Sequence, residues 1–225
     1  MVNFSDIKGF TFDLDGVITD TAKFHEQAWH DLATELGVEW SDTLGSQLKG
    51  IGRMDSLNMI LAAGGKQNQF SDDEKMMFAH KKNTHYVALI QSLTPDDILP
   101  GITAFLGEIR AGGFLASIAS ASKNAPQILK KLEITNYFVG IVDPSTVSHG
   151  KPDPEIFVRA GELLNLQPKQ IIGIEDASAG VQAIKAAGQT ALGVGAATQS
   201  AKPHLWVRDT ADISLKTIAM KLSSD

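Results

Sequence analysis

The sequence of 225 residues contains no cysteine. Disulfide bonds, thiolate metal sites and a thiol nucleophile are therefore excluded. A basic excess is also missing, because 20 lysine and arginine residues stand against 26 aspartate and glutamate residues, which gives a formal net charge of -6. Nucleic-acid binding needs many cations to neutralise phosphates, so we expect no nucleic-acid partner. A small phosphorylated ligand needs only a few local cations, and this class stays open.

Long apolar segments are missing as well. No run approaches the roughly 20 residues that a membrane-spanning helix needs. The first ten residues, MVNFSDIKGF, lack the basic region and apolar stretch of a signal peptide. We therefore expect no membrane partner and a cytoplasmic location. Because no segment is obviously prone to association, we also expect a monomer.

Short apolar runs, each followed by a helical pattern, recur along most of the chain. Five runs predict strands at Gly9–Leu14, Phe114–Ser120, Gly140–Asp143, Ile171–Asp176 and Thr190–Gly195. The helices predicted between them include Ala125–Leu132, Pro154–Leu164 and Ala177–Ala187. Nearly continuous apolar strands indicate burial on both faces of a parallel sheet. The pattern predicts an α/β fold whose core is a doubly wound parallel sheet.

One region interrupts this alternation. From about Thr21 to about Ser92 only helical patterns occur, and in the first of them Phe24, Ala28 and Leu32 share one face. The region predicts an all-helical cap inserted after the first strand, above the sheet edge where α/β proteins bind ligands. The predicted domains are a core of residues 1–18 and 93–225 and a cap of residues 19–92.

The first predicted strand ends in two acids, Asp13 and Asp15, followed by Gly16. Residues two apart in a strand point to the same side, and two like charges there are destabilising unless a cation lies between them. An acidic turn is the simpler alternative, since Asp and Gly are common where strands end. The polar residues that follow the other strands favour the cation.

Ser120, Lys151 and the pair Glu175–Asp176 lie where other predicted strands end or helices begin. Each has a simple alternative: Ser120 could cap a helix, Lys151 could be a solvated lysine, and the acids could cap the next helix. Together they provide acids for a hard cation such as Mg²⁺, hydroxyls and a helix N-terminus for a phosphate, and a lysine that balances charge.

In order and spacing, these segments resemble the four motifs of the haloacid dehalogenase superfamily. The motifs are DLDG after the first strand, a Ser after the second, a Lys in KPDP and ED after the fourth. Longer stretches resemble the β-phosphoglucomutase subfamily: DLDGVITDTAKFHEQAW, LKGIGRMDSL, HKKN, ASASKNAP and GKPDPEIF. This likeness runs nearly end to end and includes the predicted cap.

The resemblance implies roles for the core residues. Asp13 would be the nucleophile that carries an aspartyl phosphate, and Asp15 the general acid and base. Ser120 and Lys151 would bind the transferring phosphoryl group, and the Lys151–Pro152 peptide would be cis. The implied ligands of Mg²⁺ are Asp13, Asp15 through its backbone carbonyl, Glu175 and Asp176.

The resemblance also implies roles in the cap. Thr21 and His25 would couple closure of the cap to the positioning of Asp15, and Arg53 would hold the distal, non-reacting phosphate. The other residues implied to face the substrate are Trp29, Lys49, Gly50, Ser56 and Lys82 in the cap and Ala121, Ser122, Lys123 and Asn124 in the core. By helical spacing alone Trp29 fits a place in the cap's own core. His25 and Lys82 could be solvated surface residues, and Arg53 could be a surface charge or a helix cap.

Two positions depart from the subfamily pattern. Gly52 stands where a serine is more usual, and Ala177 follows the second acid pair. Neither is a residue to which the resemblance gives a chemical role. Gly52 could loosen the segment that presents Arg53.

The resemblance implies a mutase that interconverts β-D-glucose 1-phosphate and D-glucose 6-phosphate, with β-glucose 1,6-bisphosphate as intermediate and activator. Its only implied partner is the small phosphosugar. A phosphatase of the same superfamily stays open, because it would use the same core residues and let water attack the aspartyl phosphate. A non-catalytic phosphosugar-binding protein is a further alternative, but it predicts the loss of an acid or of Lys151, and all are present.

Overall fold

Six strands form one parallel sheet within residues 3–48 and 52–223, the ranges that the computed structural model describes. In chain order they are β1 Gly9–Phe12, β2 Leu115–Ile118, β3 Gly140–Ile141, β4 Ile171–Glu175, β5 Thr190–Val194 and β6 Leu205–Val207. In space the order is β3-β2-β1-β4-β5-β6, and every neighbouring pair is parallel. The predicted doubly wound α/β core is confirmed.

The sixth strand was not predicted from the sequence. β6 has three residues and lies at the edge of the sheet, and its middle residue, Trp206, is only partly buried. Its apolar run, LWV, is only three residues long and is flanked by His204 and Arg208, so it is shorter than the runs of the central strands. The predicted first strand is also too long, because β1 ends at Phe12, one residue before Asp13.

The helices fall into two groups along the described chain. Four follow one another directly after β1: α1 Ala22–Glu35, α2 Asp42–Gln47, α3 Arg53–Ala63 and α4 Asp72–Leu89. Five follow them: α5 Ile102–Ala111, α6 Ala125–Lys131, α7 Glu155–Leu164, α8 Ser178–Ala186 and α9 Leu215–Leu222. Among the described residues, no helix combines the length and the apolar character needed to cross a membrane.

The centre of the sheet is buried on both faces. All four residues of β1 and all five of β4 are buried. Phe10 of β1 packs edge-on against Phe105 of α5, with ring centroids 5.3 Å apart, and Phe12 packs edge-on against Phe138 at 5.8 Å. Aromatic pairs of this geometry add to the stability gained from burial alone.

Contacts between residues divide the chain into two compact units. One unit contains the sheet, with the residues up to Asp20 and from Leu93 onward. The other is Thr21–Ser92 and contains α1 to α4. The helical unit has an apolar core of its own, to which Trp29, Leu57 and Ile60 belong. The patterns from Thr21 to Ser92 therefore reflect a separate set of packed helices.

The order of the strands determines where a ligand site can form. The chain proceeds from β1 through β2 to β3 on one side, then returns to β4 on the other side of β1. Phe12 of β1 is in register with Ile118 of β2 and with Ile174 of β4. Residues that follow these strands meet at the carboxyl edge of the sheet, at the point where strand order reverses and α/β proteins bind ligands.

Gly173 of β4 tests the close packing of this sheet against α8. A methyl group added there would lie 2.7 Å from two carbon atoms of Ile184. We expect Gly173→Ala to lower the free energy of unfolding by about 1–3 kcal/mol, because the added carbon overpacks the core. Urea unfolding monitored by circular dichroism measures this value.

Gly107 of α5 provides the matched control, since an added methyl group there meets nothing within 4 Å. In a helix interior, alanine is more favourable than glycine by about 0.5–1 kcal/mol. Gly107→Ala should therefore stabilise the protein. Equal effects of the two substitutions would contradict the packing argument.

Candidate active site

Three carboxylates meet at the carboxyl edge of the sheet. Asp13 directly follows β1, and its backbone N–H still donates to the carbonyl of Ile174 in β4, at 3.0 Å. Glu175 is the last residue of β4, and Asp176 follows it. The side chains of Asp13, Glu175 and Asp176 place one oxygen each within 4.8 Å of the others. Adjacent strands that end at the same edge thus bring the two acidic segments of the sequence together.

Lys151 joins two of these carboxylates. It precedes α7, and its Nζ donates to Oδ1 of Asp13 at 2.6 Å and to Oε2 of Glu175 at 2.7 Å. The side chains of Lys151, Asp13 and Glu175 are only 17%, 11% and 2% exposed. The peptide between Lys151 and Pro152 is cis, as the resemblance implies. The alternative of a solvated lysine is wrong for this residue.

Burial and mutual repulsion dominate the electrostatics of the carboxylates. Burial, together with the charge of Glu175, raises the pKa of Asp13 to about 6, although Lys151 opposes the shift. Burial also raises the pKa values of Glu175 and Asp176. For Lys151, burial acts to lower the pKa, but the carboxylates of Asp13 and Glu175 outweigh it and the pKa is raised. The lysine is thus charged at neutral pH.

The chemistry of this donor set fits a divalent cation. Three carboxylates and one ammonium leave a net charge of minus two when all four groups are ionised. Hard carboxylate oxygens within one small cluster are the ligands that Mg²⁺ prefers. Asp15 is half-buried and lies in the turn two residues after Asp13. The resemblance implies that its backbone carbonyl is a further ligand of the cation. Mg²⁺ itself remains a proposal.

Two glycines allow the carboxylates to approach their neighbours, and neither glycine was predicted from the sequence to have a role in the site. A Cβ on Gly180 of α8 would lie within 2.0 Å of the carboxylate of Glu175. One on Gly16 would lie 2.0 Å from Oδ2 of Asp176, and the φ of Gly16 is +74°. The glycine directly after the first acid pair was the available signal for Gly16. Gly180 looks like an ordinary helical residue in the sequence.

The segment after β2 carries the predicted phosphate ligands. Ser120 is buried, and its Oγ accepts the N–H of Ser122 at 3.1 Å. The hydroxyl of Ser122 in turn accepts the N–H of Asn124 at 3.3 Å. α6 begins at Ala125 with Asn124 as its N-cap, so the alternative that Ser120 caps this helix is wrong. Ala121 and Lys123 are exposed in the same segment.

The helical unit encloses a lysine among aromatic rings. Lys82 of α4 is 3% exposed, and its Nζ lies 2.7 Å from Nδ1 of His25 in α1. The same Nζ lies 4.6 Å from the ring centroid of Trp29 and 5.1 Å from that of Tyr86. His25 stacks on Tyr86 at 3.9 Å. Sequence reasoning named three of these residues and missed Tyr86, although it lies one helical turn after Lys82.

The remaining cap residues divide between surface and interior. Arg53, the first residue of α3, is exposed and donates from Nη2 to Oδ1 of Asn83 at 2.8 Å. Ser56 and Thr21 are buried. Trp29 belongs to the apolar core of the helical unit, as its helical spacing indicates, in addition to its contact with Lys82. Lys49 and Gly50 lie outside the described residues.

The imidazole of His25 is neutral at physiological pH. Burial lowers its pKa from 6.5 to about 3, and the charges of Lys82 and Arg53 add to the effect. A neutral ring can accept a hydrogen bond from the ammonium of Lys82 through Nδ1. The proton of the ring then lies on Nε2.

The chain is similar to known proteins over most of its length. The haloacid dehalogenase-like hydrolase family matches residues 7–188. A β-phosphoglucomutase of Bacillus subtilis is 43% identical over 212 residues, which cover 94% of each chain. The crystal structure of a β-phosphoglucomutase from Clostridium difficile has a TM-score of 0.89 and 42% identity, and it covers 97% of this chain and 98% of that one. A phosphorylated carbohydrates phosphatase of Thermotoga maritima is 27% identical, with 79% and 80% coverage.

The carboxylate cluster predicts stabilisation by Mg²⁺. At a concentration 100 times its dissociation constant, a ligand that binds only the folded protein raises the free energy of unfolding by about 2.7 kcal/mol. We expect Asp176→Asn to lose most of this gain, because one ligand oxygen and one negative charge are removed. Asp96→Asn, at an exposed position, should keep it. Thermal unfolding across a Mg²⁺ titration measures the difference, and an unchanged gain in Asp176→Asn would contradict the assignment.

His25 predicts a pH dependence of stability. Because its folded pKa of about 3 lies below the ordinary value of 6.5, the unfolded chain takes up a proton that the folded chain does not. The stability that depends on this residue is present above pH 6.5 and is lost as the pH falls toward 3. Between pH 7 and pH 5 we expect the native protein to lose about 1–2 kcal/mol more than His25→Gln. Urea unfolding at both pH values measures this, and parallel losses would contradict a neutral His25.

Proposed function

We propose a specific reaction for this chain, which belongs to the haloacid dehalogenase-like hydrolase family and, within it, to the β-phosphoglucomutases, which are isomerases. The reaction is the interconversion of β-D-glucose 1-phosphate and D-glucose 6-phosphate. One observation carries the proposal: the likeness to β-phosphoglucomutases extends over nearly the whole chain, so that it includes the helical unit as well as the core. We further expect a cytoplasmic monomer whose partner is a small phosphosugar.

Asp13 is the proposed nucleophile. A carboxylate attacks phosphorus only in its ionised form, and a pKa of about 6 leaves Asp13 mostly ionised at neutral pH. The oxygen of Asp13 forms a bond to phosphorus while the bond between phosphorus and the sugar oxygen breaks. Lys151, 2.6 Å from Asp13, offers positive charge to the oxygens of the phosphoryl group. Ser120 is proposed to donate a hydrogen bond to the same group.

Asp15 is the proposed general acid and base. It gives a proton to the sugar oxygen that leaves phosphorus and takes one from the sugar hydroxyl that attacks in the other half of the reaction. Mg²⁺, held by Asp13, the backbone carbonyl of Asp15, Glu175 and Asp176, would supply positive charge against the phosphoryl oxygens when bound. The residues of the chain then have to position the sugar and exclude water.

A mutase requires two phosphate sites. Phosphorylated Asp13 gives its phosphoryl group to the 6-hydroxyl of β-glucose 1-phosphate, and the resulting β-glucose 1,6-bisphosphate turns end for end. Asp13 then takes the phosphoryl group from carbon 1 and leaves glucose 6-phosphate. Arg53 is the proposed ligand of the phosphate that does not react, assisted by Ser122, Lys123 and Asn124, since a guanidinium can hold a phosphate through two hydrogen bonds.

A phosphatase is the alternative function, because phosphatases occur among the relatives of this chain. The phosphatase of Thermotoga maritima shows that the family includes enzymes that release phosphate from sugars. Hydrolysis would use the same core residues, with water in place of the sugar hydroxyl. The two functions differ in how well water is kept from the aspartyl phosphate.

A paired assay distinguishes them. Purified protein is given Mg²⁺, β-glucose 1-phosphate and a trace of β-glucose 1,6-bisphosphate, and glucose 6-phosphate and inorganic phosphate are followed together. We expect rapid formation of glucose 6-phosphate, little free phosphate and no turnover of the α anomer. Free phosphate that rises in step with substrate loss would replace the mutase with a phosphatase.

Asp13→Asn and Arg53→Lys are the variants for this assay. Asp13→Asn removes the nucleophile and should abolish turnover. Arg53→Lys keeps the charge but loses the two-pronged contact, so it should slow formation of glucose 6-phosphate more than any release of phosphate. A sugar-binding protein without catalysis would show no turnover in the native chain and would still bind the phosphosugar.

A further inference from the structure

The segment that carries Lys151 is poorly anchored by regular structure. It runs from the short 3-10 turn Pro144–Thr146 to the start of α7 at Glu155, and Ser148, His149 and Gly150 are all exposed. Within it, the N–H of Asp153 donates to the carbonyl of Gly150 at 3.1 Å. An exposed loop of this kind does not by itself fix a side chain that must reach a buried carboxylate.

Glu155 supplies bonds that the loop otherwise lacks. One carboxylate oxygen, Oε2, accepts the backbone N–H of Ser148 at 2.7 Å and that of His149 at 3.1 Å. These residues lie three and two positions before Lys151. A single side chain at the start of α7 therefore holds the backbone of the residues that precede Lys151.

Arg159 fixes this carboxylate from the other side. Its Nε and Nη2 donate to Oε1 of Glu155 at 3.0 and 2.6 Å, one helical turn away. The two oxygens thus have separate tasks, since Oε1 contacts the arginine and Oε2 contacts the loop. The backbone N–H of Glu155 donates to Oδ1 of Asp153 at 2.9 Å, which ties down the residues after Lys151.

The same contacts explain a second cluster of possible metal ligands. His149, Asp153 and Glu155 place ligand atoms within 4.8 Å of one another. Both oxygens of Glu155 already accept N–H groups, and one of the donors is a cation. The arginine and its hydrogen bonds, followed by the backbone N–H groups, also hold the pKa of Glu155 below its usual range. The cluster is therefore the result of the loop's hydrogen bonds, and a second cation site is not needed to account for it.

We propose that Glu155 is a positioning residue for phosphoryl transfer, which holds the loop so that the ammonium of Lys151 reaches Asp13 and the phosphoryl group. This inference rests on the proposed function for its chemistry. Its geometry stands by itself: one carboxylate clamps the backbone before Lys151, and the lysine spans two buried carboxylates at 2.6 and 2.7 Å. Displacement of a catalytic group by about 1 Å can slow a reaction by about 100-fold.

Glu155→Gln tests the clamp, with Glu162→Gln as its matched control. An amide has one acceptor oxygen, so it cannot satisfy both Arg159 and the loop. Glu162 lies on the same helix and is exposed. Two readouts are made on the full chain. The first is the rate at which an amine-reactive acylating reagent labels Lys151, measured by peptide mass mapping. The second is the rate of Asp13 phosphorylation by acetyl phosphate with Mg²⁺, measured by intact mass.

We expect Lys151 to be labelled at least about 10-fold faster in Glu155→Gln, and Asp13 to be phosphorylated about 10- to 100-fold more slowly. Glu162→Gln should match the native chain in both. In a Lys151→Met background, Glu155→Gln should cause no further loss, because residues that act through one group are not additive. If Glu155 had only a structural role, Glu155→Gln would lower the stability of the protein. It would then slow Asp13 phosphorylation by the same factor in the native and the Lys151→Met backgrounds.

The outcomes separate the two proposals. Labelling and phosphorylation rates equal to those of Glu162→Gln would overturn the role of Glu155, and so would faster labelling without slower phosphorylation. If the native chain takes no phosphoryl group from acetyl phosphate, the nucleophile proposed for Asp13 is in question. The labelling of Lys151 then decides whether Glu155 holds it, without reference to the reaction.

Discussion

The rest of the site depends on one interaction, the bridge that the ammonium of Lys151 forms between two carboxylates. It bridges Asp13, which follows β1, and Glu175, which ends β4, at 2.6 and 2.7 Å. Both carboxylates are buried, and burial raises their pKa values, so the folded protein would favour their neutral forms without a nearby cation. The lysine opposes this upward shift of the pKa at both carboxylates. Carboxylates from the ends of two adjacent strands thus share one ammonium, which comes from the loop before α7.

The carboxylates of this cluster also pack unusually close to the backbone of neighbouring segments. Glycine at positions 16 and 180 lets the carboxylates of Asp176 and Glu175 occupy space that a side chain would otherwise fill. One negative charge per carboxylate, against a single lysine, leaves a deficit of positive charge that a divalent cation can meet. A phosphoryl group adds further negative charge at the same point. One lysine offsets only part of this negative charge, and a divalent cation would offset more of it.

Much of the fold and of the candidate site could be predicted from the sequence, because the polar residues of the site directly follow the strands. Asp13, Ser120 and Asp176 each follow an apolar run, and parallel strands bring such positions to one edge of a sheet. A sequence gives little indication of contacts between a side chain and backbone groups that lie several residues away. Glu155 looks like an ordinary first-turn acid, and only the folded loop shows that it accepts the N–H groups of Ser148 and His149. Short edge strands give an uncertain signal, since the two-residue β3 was predicted and the three-residue β6 was missed.

The core chemistry by itself does not determine the product. The same nucleophile and the same lysine would serve transfer to a sugar or to water, so discrimination depends on groups outside the sheet. The helical unit holds its cations in two different settings. Arg53 is exposed and donates to Asn83, whereas Lys82 is buried beside a neutral His25 and two aromatic rings. Because burial lowers the pKa of His25 to about 3, its imidazole stays neutral at physiological pH and does not repel the ammonium of Lys82. An enzyme that moves a phosphoryl group from one end of a sugar to the other must also hold the phosphate that does not react, and exposed Arg53 is the group of the helical unit proposed for that task.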